Sequence, residues 1–233
     1  MTISPPPLRF RVATPDDAPI IQPLVQSAYR GDESRQGWTT EADILVGNRI
    51  DVAGVREKIT NPDGVVLLAT TTPQDDPEKE IPIACCELTR ITSAKSPDSP
   101  PKAYFGMFAV SPRSQGRGIG RQVLAQAESH ARDVWGASCI EMTVVCGREE
   151  LVAWYERRGF RRTGETRPFP VEEIEAMGGK IIKEGGLWFE VLVKELGGVT
   201  GNGGTNGVVA VGREGDGTPV NQLGVDAAEG LVR

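Results

Sequence analysis

A chain of 233 residues, 39% hydrophobic and 25% charged, is long enough for one well-buried core and does not require two. Its net charge of −6 and pI near 5.1 argue against a nucleic-acid or anionic-membrane partner, because phosphate surfaces are met by clustered Lys and Arg. The first seven residues carry neither a basic nor an apolar region, and no apolar run approaches the ~18 residues of a membrane span, so a soluble cytoplasmic protein is expected.

In chain order, residues 8–12 read as a short strand, followed by a first helix over 15–29 with Thr14 as N-cap and Pro15 at the first helical position. A second helix spans 48–60 and ends at Asn61, Pro62, Asp63 and Gly64. Residues 65–70, 81–91 and 103–110 are strands joined as a meander. The Pro-rich and acidic loops between them, 71–80 and 92–101, read as solvated connectors away from any ligand. A glycine-rich turn at 115–120 leads into a third helix over 121–135, closed by Gly136. Its buried stripe runs through Ile119, Val123, Leu124, Ala127, Ala131 and Val134, and His130 falls off that stripe as a surface-packing residue. A strand at 139–145, a fourth helix, a short strand at 161–165 and a final strand at 187–196 complete the series. The order predicts an α/β fold, a mixed central sheet of about six to seven strands flanked by about four helices. Residues 1–196 form the one domain. Residues 197–233 hold 11 glycines in 37 positions and no aromatic, with two arginines against four acids, and read as a flexible tail; 208–211 could otherwise add an edge strand.

Four cysteines at 85, 86, 139 and 146 form no C-x-x-C and read as buried thiols, with no metal site. One histidine excludes a Ser-His-Asp triad only if it stands outside such a motif, as His130 does; H-E-x-x-H metal sites and zinc deaminases drop out with it. The strongest signal is Gln115-Gly116-Arg117-Gly118-Ile119-Gly120, a turn between a strand and a helix. Its glycines allow a ligand close to the main chain, and the helix start offers unpaired N–H groups to an anion. A P-loop would need Lys and Ser or Thr after the last glycine, where Arg121 and Gln122 stand, and a dinucleotide fingerprint has a different glycine spacing. A tight turn without a ligand stays open on these residues alone.

The turn satisfies every fixed position of Q/R-x-x-G-x-G/A and so resembles the GCN5-related N-acetyltransferase (GNAT) family. The segment REELVAWYERRGF over 148–160 is similar to the family's fourth helix, N-x-x-A-x-x-x-Y-E-x-x-G-F, agreeing at Tyr155, Gly159 and Phe160 and departing at Arg148 and Leu151. Residues 8–29, with Thr14 to Ala18, look like its opening strand and helix, so the resemblance covers 8–196. Residues 29–41, 155–160 and 163–170 further resemble small microbial and fungal members.

The resemblance implies the acyl-CoA N-acyltransferase fold, acetyl-CoA as cofactor, and direct attack by an amine in a ternary complex. The cofactor's pyrophosphate would lie on Gln115, Gly116, Arg117, Gly118, Ile119, Gly120 and Arg121, and its pantetheine arm on main-chain groups of Phe108 and Val110. Tyr155 would supply the acid that meets the departing thiolate, protonated at neutral pH as a phenol. The place of the family's strand glutamate is Tyr104, which cannot act as a base. Glu87 is the candidate base, with a solvent-facing carboxylate as the alternative, and Glu141 shares that ambiguity. Tyr29, Trp38, Glu41, Phe169 and Trp188 are candidates to bind an amine-bearing small molecule, against a plain core role. A catalytically weak acetyl-CoA-binding sensor or subunit, and a protein or peptide acetyltransferase, are the alternatives. Oligomeric state is left open, a homodimer included.

Overall fold

The computed structural model describes residues 8–72, 76, 79–93, 99–176, 178–183 and 185–197. Apart from Gly197, the tail at 197–233 and its alternative strand at 208–211 lie outside these residues, as does half of each loop at 71–80 and 92–101.

Strand β1 (Arg9–Val12) leads into a 3-10 turn, Pro15–Asp17, and then α1 (Ala18–Tyr29). Thr14 is the N-cap of this start and Pro15 its first residue, as expected, and Asp17 at the third position closes the cap from the other side. The Asp17 carboxylate accepts from the Thr14 N–H at 2.7 Å and the Thr14 hydroxyl at 3.0 Å, and Arg11 grips the same carboxylate at 2.7 and 2.8 Å. Two short elements follow, α2 (Gly31–Ser34) and β2 (Leu45–Val46). Neither was expected, since four- and two-residue elements show no period. The second helix, α3 (Val52–Thr60), starts later than residue 48. Asp51 caps it by accepting from the Gly54 N–H at 2.7 Å, while Gln26 and Gln22 of α1 take up the Arg49 N–H and the Ile50 carbonyl. With those backbone groups satisfied from outside, 48–50 gains nothing by coiling.

Strands β3 (Gly64–Thr71), β4 (Ile81–Ile91) and β5 (Lys102–Val110) form the expected antiparallel meander. Then come α4 (Ile119–Asp133), β6 (Cys139–Val145), α5 (Glu149–Glu156), β7 (Arg161–Pro168), α6 (Val171–Ala176), β8 (Lys180–Ile181) and β9 (Trp188–Glu195). Seven strands make the central sheet in the order β1-β3-β4-β5-β6-β9-β7, and β2 pairs with β8 beside it. The mixed α/β sheet read from the order of elements is present. In α4 the stripe is buried from Ile119 to Ala131, but Val134 lies just past the helix end and is exposed.

Both faces of the central strands are covered, so they read as continuous apolar runs rather than alternating ones. Val66, Leu68 and Cys85 pack with Ile21 and Val25 of α1 on one side; Leu67, Cys86 and Phe105 pack with Val123, Leu124 and Ala127 of α4 on the other. A third cluster, Leu45, Val145, Phe169, Ile174 and Phe189, seats the small sheet. All four cysteines are buried, and burial pushes the Cys85 thiol up to about 12. Among the described residues no helix is long and apolar enough to cross a membrane.

One joint in the sheet positions the site. β5 and β6 are its parallel pair, and their ladder covers only Lys102↔Cys139 to Tyr104↔Glu141. Where the ladder stops, β5 carries an extra residue: Cys85 pairs with Ala109 but Glu87 with Gly106, and Met107 takes a φ of +41°. Such a bulge bends a strand, and a non-glycine residue at positive φ is held there only by its surroundings. The last residues of β5 are thereby freed of β6.

Candidate active site

The glycine turn sits at the end of β5. Gly116 and Gly118 have φ of +76° and +78°, the left-handed region that side chains avoid, and Gly118 is the N-cap of α4. A Cβ on either would meet nothing within 4 Å, so the space above the turn is open to a ligand. Gln115 faces inward instead. Its amide donates to the Val110 carbonyl at 3.0 Å and accepts from the Trp38 N–H at 3.0 Å. Gly37 lies against that amide, and a Cβ there would stand 2.4 Å from Gln115 Oε1. Gln115 thus clasps the strand end, the turn and the segment around Trp38.

A cavity of about 420 Å³ opens beside the turn, within the usual range for small-molecule sites. Of the residues expected to hold a cofactor, Phe108, Val110, Gln115, Gly116, Gly118, Ile119, Gly120 and Arg121 line it; Arg117 does not. The carbonyl of Phe108 accepts from the Tyr29 hydroxyl at 2.8 Å and that of Val110 from the Gln115 amide at 3.0 Å.

Tyr155 lines the same cavity. It is buried, edge-on to Trp154 and Phe160 at centroid distances of 5.0 and 5.5 Å. Burial pushes its phenol well above the ordinary value, and among the described residues its hydroxyl has no hydrogen-bond partner. It remains a proton donor across the neutral range.

The other candidates are distributed differently. Tyr29 and Trp38 line the cavity, whereas Trp188 stands 44% exposed at the start of β9 and Phe169 is buried against Phe189. Glu87 lies outside the lining residues. It is neither solvent-facing nor free, because Lys58 holds its two oxygens at 3.0 and 2.9 Å in a buried ion pair. Glu141 is bound by Arg167. Tyr104 shares a hydrogen bond with Thr143 at 2.9 Å, and burial raises its phenol.

Glu41, the acid among the candidates for an amine, is buried and shared. Arg30 holds one oxygen and Arg148 the other, the latter at 2.8 Å. Burial alone would raise its carboxyl, but Arg30, Arg148 and Arg49 together outweigh that and hold it below the ordinary value. Arg148 also donates to the Thr39 hydroxyl at 2.7 Å.

Sequence reasoning passed over Arg148, Trp154 and Arg158, all of which line the cavity. The signal was there: Arg148, Leu151, Tyr155 and Arg158 recur at helical spacing through α5, with Trp154 beside them, on one face. Arg158 stacks on Trp154 at 3.5 Å from the ring centre and donates to its carbonyl at 2.6 Å. Among the described residues no three His, Cys, Asp or Glu side chains gather as a metal ion would need. Open glycine amides, the start of α4, and Arg121 and Arg158 suit a phosphate-bearing cofactor, and the parted end of β5 leaves room for its arm.

The sequence profile described as the acetyltransferase (GNAT) family matches residues 33–160. NAA60 of Arabidopsis thaliana, solved in complex with a bisubstrate analogue, is similar with a TM-score of 0.57 and 14% identity, over 81% of this chain and 99% of that one. Spermidine/spermine N-acetyltransferase SpeG from Vibrio cholerae, solved in complex with manganese ions, has a TM-score of 0.52 and 14% identity, over 81% of this chain and 92% of that one. At such identities the likeness is one of fold. No curated protein is recognisably similar in sequence.

Proposed function

The chain belongs to the acetyltransferase (GNAT) family and is an N-acetyltransferase, and from that premise we propose that it uses acetyl-CoA to acetylate the amine of a small molecule, both bound together in the cavity beside Tyr155. The observation that carries this reading is the junction of two features in one cavity: an open anion-binding turn, and the hydroxyl of a buried tyrosine that has no hydrogen-bond partner among the described residues.

Gly116, Gly118 and the first turn of α4 would receive the cofactor's phosphates through backbone N–H groups, with Arg121 and Arg158 beside them. Bound acetyl-CoA supplies the activated acetyl group. Tyr155 holds its proton at Oη, where a developing negative charge would take it. Phe108, Trp154 and Leu151 give apolar walls that exclude water. Among the described residues no carboxylate lines the cavity, so the acceptor must arrive, or be made, neutral at its nitrogen without a side-chain base in contact. A small acceptor is favoured because the segment carrying Trp38 and Thr39 is fastened at both ends, by Gln115 and by Arg148.

Calorimetric titration with acetyl-CoA, followed by thiol release against a panel of amines, tests the reading. Binding with release from small amines supports it. Release from peptides alone would shift it to a protein substrate, binding without release from any amine would favour a sensor, and no binding would overturn it.

A further inference from the structure

Among the described residues, three arginines and no acidic residue line the cavity, a local reversal of sign in a chain of net charge −6. The arginines fall into two groups. Arg158 is held below its ordinary value first by burial and then by the charges of Arg157 and Arg121, so Arg121 and Arg158 stand close enough to repel each other. A pair of like charges beside the start of α4 suits the phosphates of a cofactor. Arg148 is separate. It precedes α5 whereas Arg158 follows it, and ten residues of largely helical chain set them about 15 Å apart. Its company is Thr39 and Glu41, and its charge is felt at the hydroxyls of Tyr29 and Tyr155.

Among the described residues the charge around Arg148 does not balance. Glu41 is divided between Arg30 and Arg148, one carboxylate against two guanidinium groups, with side-chain exposures of only 6%, 5% and 10%. Arginine does not shed its proton, so the surplus positive charge persists at neutral pH. Of the five N–H groups on Arg148, one goes to Glu41 and one to Thr39, and Nε has no partner among the described residues. A desolvated cation of this kind is stabilised when an anion reaches it. It also acts on the attacking group: a nearby positive charge disfavours the ammonium form of an amine, which supplies neutral nitrogen in a cavity without a carboxylate base.

We infer that the acceptor is an amine that also carries an anionic group, a carboxylate as in a free amino acid, and that Arg148 is the residue that selects it. The inference rests on the acetyl-transfer reading and narrows its substrate class. A polyamine meets the same residue as repulsion.

Matched acceptors test it on the unsubstituted protein. Methionine, phenylalanine and glutamate would each be compared with their α-carboxamides, and with spermidine, by thiol release with acetyl-CoA and by calorimetry on protein loaded with CoA. Masking the carboxylate should lower kcat/KM and affinity by about tenfold or more, the weight of one charge-assisted contact, with spermidine weaker still. Arg148→Gln should bring acid and amide to within about threefold of each other through KM, and leave acetyl-CoA affinity within about threefold. Equal use of acid and amide, or a preference for spermidine, overturns the inference while leaving acetyl transfer standing. So does an Arg148→Gln protein that loses acetyl-CoA instead of the acceptor, which would assign the arginine to the cofactor. Binding of acetyl-CoA without thiol release from any amine would remove the transfer reading, and this inference with it. Should Arg148→Gln fail to fold, the matched pairs still decide.

Discussion

Tyr155 keeps its proton through its environment rather than through a partner. Burial raises the phenol above its free value near 10, so the proton is held throughout the neutral and mildly alkaline range. Tyr155→Phe removes the oxygen and keeps the ring against Trp154 and Phe160. Turnover should fall by about 10²-fold or more while acetyl-CoA affinity by calorimetry moves less than about twofold; unchanged turnover would strip the residue of its role. Glu87 presents the opposite case. Its carboxylate neutralises the buried Lys58, and Glu87→Gln leaves that ammonium without a counter-charge. The expected result is a loss of about 3–5 kcal/mol in urea unfolding. A stable variant with lost turnover would instead return Glu87 to the position of base. That Glu87 does not declare its part in the sequence is a matter of solvent: an acid in an apolar strand reads the same whether it faces water, a lysine or a substrate.

At the scale of elements, the turn before α4 depends on backbone conformation more than on side chains. Gly118 is the N-cap at a φ of +78°, so Gly118→Ala forces a left-handed residue at the point where N–H groups face the cavity. A strain of about 1–2 kcal/mol and a loss of acetyl-CoA affinity are expected, whereas Arg117→Ala, outside the cavity lining, should bind acetyl-CoA nearly as before. Calorimetry on the two variants checks the contrast. The joint between β1 and α1 has its own electrostatic signature. Arg11 in the first place, with the Thr14 N–H and hydroxyl, holds Asp17 down to about 2 against the opposing effect of burial. Because its folded value lies below the unfolded one, its contribution is present above pH about 4 and is lost as pH falls toward about 2. The urea midpoint should therefore drop across that window, and Asp17→Asn should flatten the drop. The capping residue was legible in the sequence; that the Asp17 carboxylate also accepts from Thr14 and is gripped by Arg11 was not.

Over the whole molecule, the sheet is closed by β9 between β6 and β7, and among the described residues the three apolar clusters run no further than Leu196. A protein ending at residue 197 should keep its thermal midpoint to within about 2–4 °C and its turnover with it, as the glycine-rich, aromatic-free composition of 198–233 leads one to expect; a large fall in either would give residues 198–233 a part in the fold or the site. The site itself exists because β5 and β6 part after three residues of pairing, where the bulge at Met107 bends the strand away. By itself the sequence determined the order of strands and helices and the glycine turn, because each rests on local periodicity or on backbone freedom that neighbouring residues set, while the tyrosine on α5 was singled out by its resemblance to a family motif. The tertiary structure alone decided which charges meet. Arg30, Glu41 and Arg148 are joined across 118 positions of chain, Lys58 and Glu87 across 29, and no local pattern records such pairings. An ion's behaviour depends on which partners and how little water surround it, and those are fixed only when distant segments have packed.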